Sequence, residues 1–263
     1  MKLTLGIVQM NATPDVEANL AAIGAQARAL QSQGAEMVVF PEYCTCLANM
    51  DTTKKVARRQ EEWLAVLSPM ARSCQAALVL GGLSVLEADG NVYNRTVVLD
   101  ASGELLAYYD KRHLFELKLN RKGFISEADA FVPGHAVKSF RFKEMTIGLC
   151  TCFDLRFGEM FTHFTECDAV ICTAAFTAST GDPHWDTLLQ ARAIENQLWF
   201  IGVDMCGANQ ETGIELYGHS GVYDPWGVQA ASAGHNEPAA FLTDITTERV
   251  AYIRNKLPMV RGS

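Results

Sequence analysis

The sequence predicts one α/β domain in which a mixed β-sheet core carries its helices on the outside. Three observations predict it. Short apolar runs rich in β-branched residues alternate along the chain with longer stretches whose apolar residues recur at helical spacing. Hairpin-like strand pairs interrupt that alternation, which argues against a barrel of eight equal strand–helix units. No repeat, low-complexity tract or Pro/Gly/Ser linker divides the 263 residues, so 1–263 reads as a single domain. A chain of this length buries a large core without disulfides or metals to staple it.

The elements follow in order. Leu3 to Gln9 reads as a strand, and Thr13-Pro14-Asp15 as a helix start with Thr13 as cap and Pro14 at the first helical position. Val16, Leu20, Ile23, Ala27 and Leu30 continue at helical spacing until Gly34. Met37 to Phe40 is a buried strand ended by Pro41, about Glu61 to Ser73 a helix, and Ala76 to Leu80 a strand stopped by Gly81-Gly82. Strands near Tyr93–Leu99 and Glu104–Tyr109 flank the turn Asp100-Ala101-Ser102-Gly103, a hairpin signal. Met145 to Cys150 is a strand, Gly158 to Thr165 a helix, and Ala169 to Cys172 a strand. Asp182-Pro183 opens a helix running to about Asn196, and Trp199 to Val203 is a strand. Hairpin-like strands follow near Gly218–Tyr223, Val228–Ala231 and Ala239–Asp244, and Thr246 to about Asn255 closes as a helix.

Composition excludes several functions. Twenty-two basic against 30 acidic residues leave a net charge of −8, with no basic run longer than pairs such as Lys54-Lys55 and Arg58-Arg59. Nucleic acid and anionic membrane surfaces are therefore not expected partners. No segment approaches the roughly 18–20 apolar residues that span a bilayer. The apolar start is too short for a signal-peptide core and breaks at Asn11. A cytoplasmic chain is expected, with its eight cysteines reduced. Cys44/Cys46 and Cys150/Cys152 form C-x-C pairs, but no C-x-x-C occurs, so buried thiols are expected rather than a metal site.

Three strand ends carry a titratable side chain directly after an apolar run, where α/β folds tend to place reactive groups. Glu42 follows Phe40-Pro41, and a carboxylate desolvated beside a buried run gains the raised pKa that suits a general base or acid. Taken alone it reads rather as a helix cap or a surface carboxylate. Lys111, in Tyr108-Tyr109-Asp110-Lys111-Arg112-His113, can hold a carboxylate or stabilise an oxyanion, or can simply belong to a solvated turn. Cys152 follows Ile147–Thr151, where a helix N-terminus and any nearby cation would favour thiolate and the Phe153 N–H would face an oxyanion. A structural thiol is the plain alternative. Each signal is weak; the three together are not.

Their order and spacing resemble the Glu–Lys–Cys motifs of the nitrilase superfamily of carbon–nitrogen hydrolases. The matching segments are Phe40-Pro41-Glu42, the run Tyr109 to Phe115, and the run Cys152 to Glu159. Gly6-Ile7-Val8-Gln9, His184 to Asn196, Gly218-His219-Ser220 and Asp224-Pro225-Trp226-Gly227 extend the resemblance over nearly the whole chain. It implies a four-layer αββα sandwich, at least a homodimer, and neither metal nor organic cofactor. It implies Glu42 as general base, Lys111 as oxyanion stabiliser and Cys152 as nucleophile, since Cys152 and not Cys150 directly precedes the aromatic–Asp pair. Glu127 matches the family's auxiliary glutamate. Gly158 departs from the usual Pro, which loosens the turn after the nucleophile and removes no reacting group.

The implied activity is hydrolysis of a small carboxyamide to acid and ammonia through a Cys thioester. The Tyr109–Phe115 and Ala191–Asn196 segments look most like the small bacterial branch that includes ω-amidases, which cleave monoamides of dicarboxylates. A neighbouring branch acts on deaminated glutathione, and N-carbamoyl hydrolases of the same superfamily keep the triad. A non-catalytic binding protein is the reading outside this class. Arg112, Arg156 and Arg192 are candidates to pair a substrate carboxylate. Arg156 has Asp154 or Glu159 as a structural alternative, and Arg192 has Glu195. His184 is expected either to line the pocket or to serve the helix start beside Trp185.

Overall fold

The structure, a computed structural model, describes residues 1–119 and 123–259. Its strands are β1 (Lys2–Gln9), β2 (Met37–Val39), β3 (Ala77–Leu86), β4 (Val92–Leu99), β5 (Leu105–Asp110), β6 (Glu116–Leu119), β7 (Gly123–Ser126) and β8 (Lys138–Phe142). Then come β9 (Met145–Thr151), β10 (Ala169–Ala174), β11 (Trp199–Asp204), β12 (Cys206–Ala208), β13 (Glu215–Tyr217), β14 (Gly221–Tyr223), β15 (Gln229–Ser232) and β16 (Ala239–Thr246). Two six-stranded sheets result, ordered β16-β1-β2-β3-β4-β5 and β15-β14-β11-β10-β9-β8. Each is mixed: β1, β2 and β3 run parallel, as do β9, β10 and β11, while antiparallel strands flank them on both sides.

Burial explains the layering. In β1 and β2, Leu3, Leu5, Ile7, Met37 and Val39 point into the core shared with the second sheet. Their alternates Val8 and Val38 join Leu20, Ile23 and Ala27 of helix α1 (Val16–Ser32) in a second core on the outer face. Continuous apolar runs are what strands buried on both faces require. On the other sheet, Trp185 and Leu189 of α5 (Ala178–Asn196) cover the outside, packing against Gly202. The fold is thus a single-domain four-layer αββα sandwich, as the resemblance implied. The remaining helices are α2 (Met50–Ala57), α3 (Gln60–Cys74), α4 (Gly158–Phe161) and α6 (Thr247–Lys256), the last capped by Thr246, whose side chain accepts the Arg249 N–H.

Several local expectations need correction. Asp15 rather than Thr13 caps α1, its carboxylate accepting the Ala18 N–H at 3.0 Å, while Thr13 Oγ1 accepts the Asp15 N–H. The Gly81-Gly82 pair does not stop β3; the strand passes through it with a register shift between Leu80 and Leu83. α5 starts at Ala178, so Pro183 lies inside the helix. Gly158 to Thr165 is only one α-turn, α4, followed by a 3₁₀ turn at Thr162–Phe164. Helix α2 and the hairpins β6–β7 and β12–β13 were not foreseen. Gly158 opens α4, and a Cβ there would lie 3.4 Å from Arg192 Nη1, so no close approach demands glycine.

Candidate active site

The three flagged strand ends meet where the sheets face each other. Between them Thr96 Oγ1 of β4 lies 3.2 Å from Thr151 Oγ1 of β9 and 3.1 Å from Thr173 Oγ1 of β10, tying the two sheets together just below the site. Glu42 arrives from β2 through Pro41, which ends the strand. Its loop closes onto β3 because Gly81 and Gly82 have no side chains. A Cβ at Gly82, whose φ is +64°, would sit 2.3 Å from Tyr43 N, and one at Gly81 would sit 2.6 Å from Pro41 O. Lys111 follows β5 and its N–H donates to Asn94 O at 2.9 Å. Cys152 follows β9 with φ 48°, a left-handed backbone that aims a non-glycine side chain out of a sharp strand-to-turn junction.

Lys111 Nζ, fully buried, donates to Glu42 Oε1 at 2.9 Å and to Glu127 Oε1 at 2.8 Å. Asn94 Nδ2 also donates to Glu42 Oε1 (2.8 Å), and the Ala175 N–H to Glu42 Oε2 (2.9 Å). Glu127 takes further bonds from Tyr43 Oη (2.5 Å) and the Phe115 N–H (2.7 Å). Cys152 lines the same cavity as Glu42 and Glu127, with Phe153, Arg156 and Phe176. Phe153 is the second residue of the 3₁₀ turn Cys152–Arg156, where an N–H has no acceptor within the turn.

Burial raises the Glu42 carboxyl above its ordinary range and the charge of Glu127 adds to this, while Lys111 opposes it. Burial also lifts the Cys152 thiol well above its ordinary value, helped by Glu42 and resisted by Lys111. That corrects the expectation of a thiolate favoured by a helix terminus. The turn is five residues of 3₁₀ helix, too short to outweigh desolvation. Lys111 would be lowered by burial, but Glu127 and Glu42 hold it well above its usual value, so it is an ammonium. A protonated thiol that shares a cavity with a carboxyl of raised pKa is a pair in which proton transfer can accompany attack by sulfur.

Cys150 is fully buried in the core against Cys172 of β10 and does not line the cavity. Arg192 donates to Leu155 O through Nε (3.1 Å) and Nη2 (2.9 Å) and to Glu195 through Nη1, so it is structural. Arg156 has no carboxylate partner among the described residues. Asp154, its foreseen partner, is bonded elsewhere, and Arg156 instead lies over the rings of Phe176 (5.0 Å) and Phe153 (5.8 Å). His184 is exposed on α5, with Nδ1 3.3 Å from Arg156 Nη1, and does not line the cavity. Among the described residues no His/Cys/Asp/Glu cluster suits a metal.

Tyr43, Asn94, Thr177 and Asn209 were missed. Tyr43 adjoins Glu42, a findable signal, whereas Asn94 sits beside Arg95 and Thr96 in β4 and nothing local singles it out. Asn209 comes from the β12–β13 hairpin and nothing local marks it. Asp204 was missed too. It ends β11 fully buried, Oδ1 accepting the Phe176 N–H at 2.8 Å and Oδ2 without a hydrogen-bond partner among the described residues. Burial raises it well above the ordinary aspartate value. Above an unfolded pKa of about 3.9 the native state therefore keeps a proton that the unfolded chain has released, so stability falls as pH rises through that window. Asp204→Asn removes this term: its stability relative to the parent is expected to climb with pH by up to about 1.4 kcal/mol per unit, measured by urea unfolding from pH 4 upward. A flat difference would mean that Asp204 ionises freely in the fold.

The carbon-nitrogen hydrolase family profile matches residues 4–255. Among curated relatives, the deaminated glutathione amidase of Synechocystis is 30% identical, covering 97% of this chain and 95% of its own. The ω-amidase of Danio rerio is 28% identical, covering 99% and 94%. The C. elegans NitFhit crystal structure superposes with a TM-score of 0.91 at 28% identity, over 98% of this chain and 64% of that longer one.

Proposed function

Because the chain belongs to the carbon–nitrogen hydrolase family, and so is a hydrolase of carbon–nitrogen bonds other than peptide bonds, we propose that it is a thiol amidase for monoamides of dicarboxylic acids. Cys152 is the nucleophile, Glu42 the base, Lys111 and the Phe153 N–H the oxyanion donors, and Glu127 the auxiliary carboxylate. As sulfur bonds to the amide carbon, its proton passes to Glu42 and the carbonyl electrons move to oxygen, which Lys111 and Phe153 hold. Collapse expels nitrogen, which takes the proton from Glu42 and leaves as ammonia. Water then gives Glu42 a proton while attacking the thioester, and the departing sulfur recovers it. Glu42 carries each proton of this cycle, and two carboxylates beside one ammonium, all buried, support that reading.

The observation that carries the substrate class is Arg156. It is half-buried in the cavity wall without a carboxylate partner among the described residues, beside Thr177 and Thr180 at the N-terminus of α5. A guanidinium partly desolvated and without a carboxylate counter-charge is poised for a substrate carboxylate. The test is ammonia release from α-ketoglutaramate, succinamate, deaminated glutathione, glutamine, an aliphatic amide and a nitrile, with Cys152→Ala as blank. Preference for the first two is expected, and Arg156→Leu should raise KM for succinamate roughly 10- to 100-fold, the worth of one charged hydrogen bond, while leaving the aliphatic amide nearly unchanged. Activity confined to deaminated glutathione would move the assignment to that longer substrate, and activity confined to N-carbamoyl compounds would replace it.

We read the enzyme as a homodimer at least, supported by the exposed face of Ile194, Trp226 and Tyr252, where Lys256 Nζ lies 4.7 Å from the Trp226 ring. Sedimentation giving 28.8 kDa alone would remove that reading. The eight cysteines, all free, fit a reducing cytoplasm, which cell fractionation would check. No helix of the described residues is long and apolar enough to cross a membrane.

A further inference from the structure

Three residues of the motifs that carry the resemblance take no part in the proposed reaction: Tyr109, His113 and Asp154. None lines the cavity. The Asp154 carboxylate is fully buried and gathers donors from both sides of the site. Its Oδ2 accepts Tyr109 Oη–H at 2.6 Å and the Thr151 N–H at 3.0 Å. Its Oδ1 accepts the His113 N–H at 3.0 Å and lies 2.7 Å from His113 Nδ1. The Arg112 N–H donates to Tyr109 Oη at 3.2 Å, so the phenol proton is turned toward Asp154. The His113 ring stacks on Phe157 at 3.7 Å, just past the nucleophile turn.

The spacing is what matters. Tyr109 and His113 stand two residues before and two after Lys111, while Thr151 and Asp154 enclose Cys152. One carboxylate therefore grips the backbone of the ammonium and the backbone of the thiol together. We propose that Asp154 is a positioning residue that sets the separation of Lys111 Nζ from Cys152 Sγ, with Tyr109 and His113 as its two partners on the lysine segment. This rests on the roles proposed above for Lys111 and Cys152. Cys152 needs such a grip because its left-handed backbone relaxes unless its surroundings over-determine it. The catalytic donor needs it because a misplacement of about 1 Å costs roughly 100-fold in rate.

Full-length variants Asp154→Asn, Tyr109→Phe, His113→Ala and His113→Asn would be compared with the parent in two assays. One is steady-state hydrolysis of succinamate; the other is the pH dependence of Cys152 alkylation by iodoacetamide. Asp154→Asn sets an NH₂ group against N–H donors, and its kcat is expected to fall about 100-fold with KM within about twofold and the alkylation profile displaced. Tyr109→Phe loses one donor and should fall about tenfold in kcat. His113→Asn, whose amide nitrogen replaces Nδ1, should recover most of what His113→Ala loses. A lowered melting temperature with unchanged kcat and alkylation profile in Tyr109→Phe and Asp154→Asn would overturn the proposal. If Asp154→Asn does not fold, Tyr109→Phe, which removes a single oxygen, decides. Absence of amide turnover in the parent would overturn the proposed function instead, while the alkylation profiles would still read the clamp.

Discussion

Cys152→Ala is expected to abolish amide turnover, and Cys150→Ala to keep most of it. The two thiols lie two residues apart and are both buried, positions that a continuing strand would put on one face, yet the left-handed backbone at Cys152 sends their side chains to different places. Cys150 is within β9 and meets Cys172 in the core, whereas Cys152 has left the strand and enters the cavity with Glu42. Removing the first costs packing alone. Removing the second deletes the nucleophile, and residual catalysis by oxyanion donors without a nucleophile lies orders of magnitude lower. Ammonia release under saturating amide, with folding checked by circular dichroism, makes the comparison. Equal loss in both variants would overturn the assignment of Cys152.

Lys111→Met is expected to lower kcat about 100- to 1,000-fold, the usual cost of losing one oxyanion donor, with a smaller change in KM. Met keeps most of the length and apolar bulk of the stem but leaves Glu42 and Glu127 facing each other with no cation between them. Two adjacent carboxylates cannot both ionise readily, so the variant should also need a higher pH to reach its residual activity. Breaking a buried ion pair costs roughly 3–5 kcal/mol of stability, so rates must be referred to the folded fraction from urea titration. A rise in KM with unchanged kcat would make Lys111 a substrate anchor and end its oxyanion role.

How much of this was legible in the sequence follows from which forces are local. The buried strands were legible because apolar runs of β-branched residues have few alternatives, and β1, β9, β10 and β11 lie near where periodicity puts them. Boundaries governed by capping were misread where two candidates compete. Thr13 and Asp15 both accept hydrogen bonds at the start of α1, and only the course of the chain decides that Asp15 holds the Ala18 N–H. Gly81-Gly82 looked like a stop because glycine usually punctuates a strand. Here it is the space into which the Glu42 loop closes, a demand made by a residue 40 positions away.

The proposed reacting groups were legible for a related reason: Glu42, Lys111 and Cys152 each end an apolar strand, and motifs of fixed order mark all three. The geometry among them was not. Glu127, Tyr43 and Asn94 complete the arrangement through bonds that span 16 to 84 residues of sequence, which no local pattern encodes. The protonation states are tertiary as well. A thiol at the start of a turn reads as acidic, but enclosure between two sheets reverses the direction because desolvation grows with every neighbour that excludes water. By itself, the sequence determined an α/β domain from its periodicity and, through motifs that resemble a known family, the layered fold and the class of reaction, since these follow from residue type and spacing. The tertiary structure decided which arginine faces the cavity without a carboxylate counter-charge, which proton stays on sulfur, and how Asp154 joins the two motifs, because burial and long-range hydrogen bonds exist only once both sheets have closed on the same space.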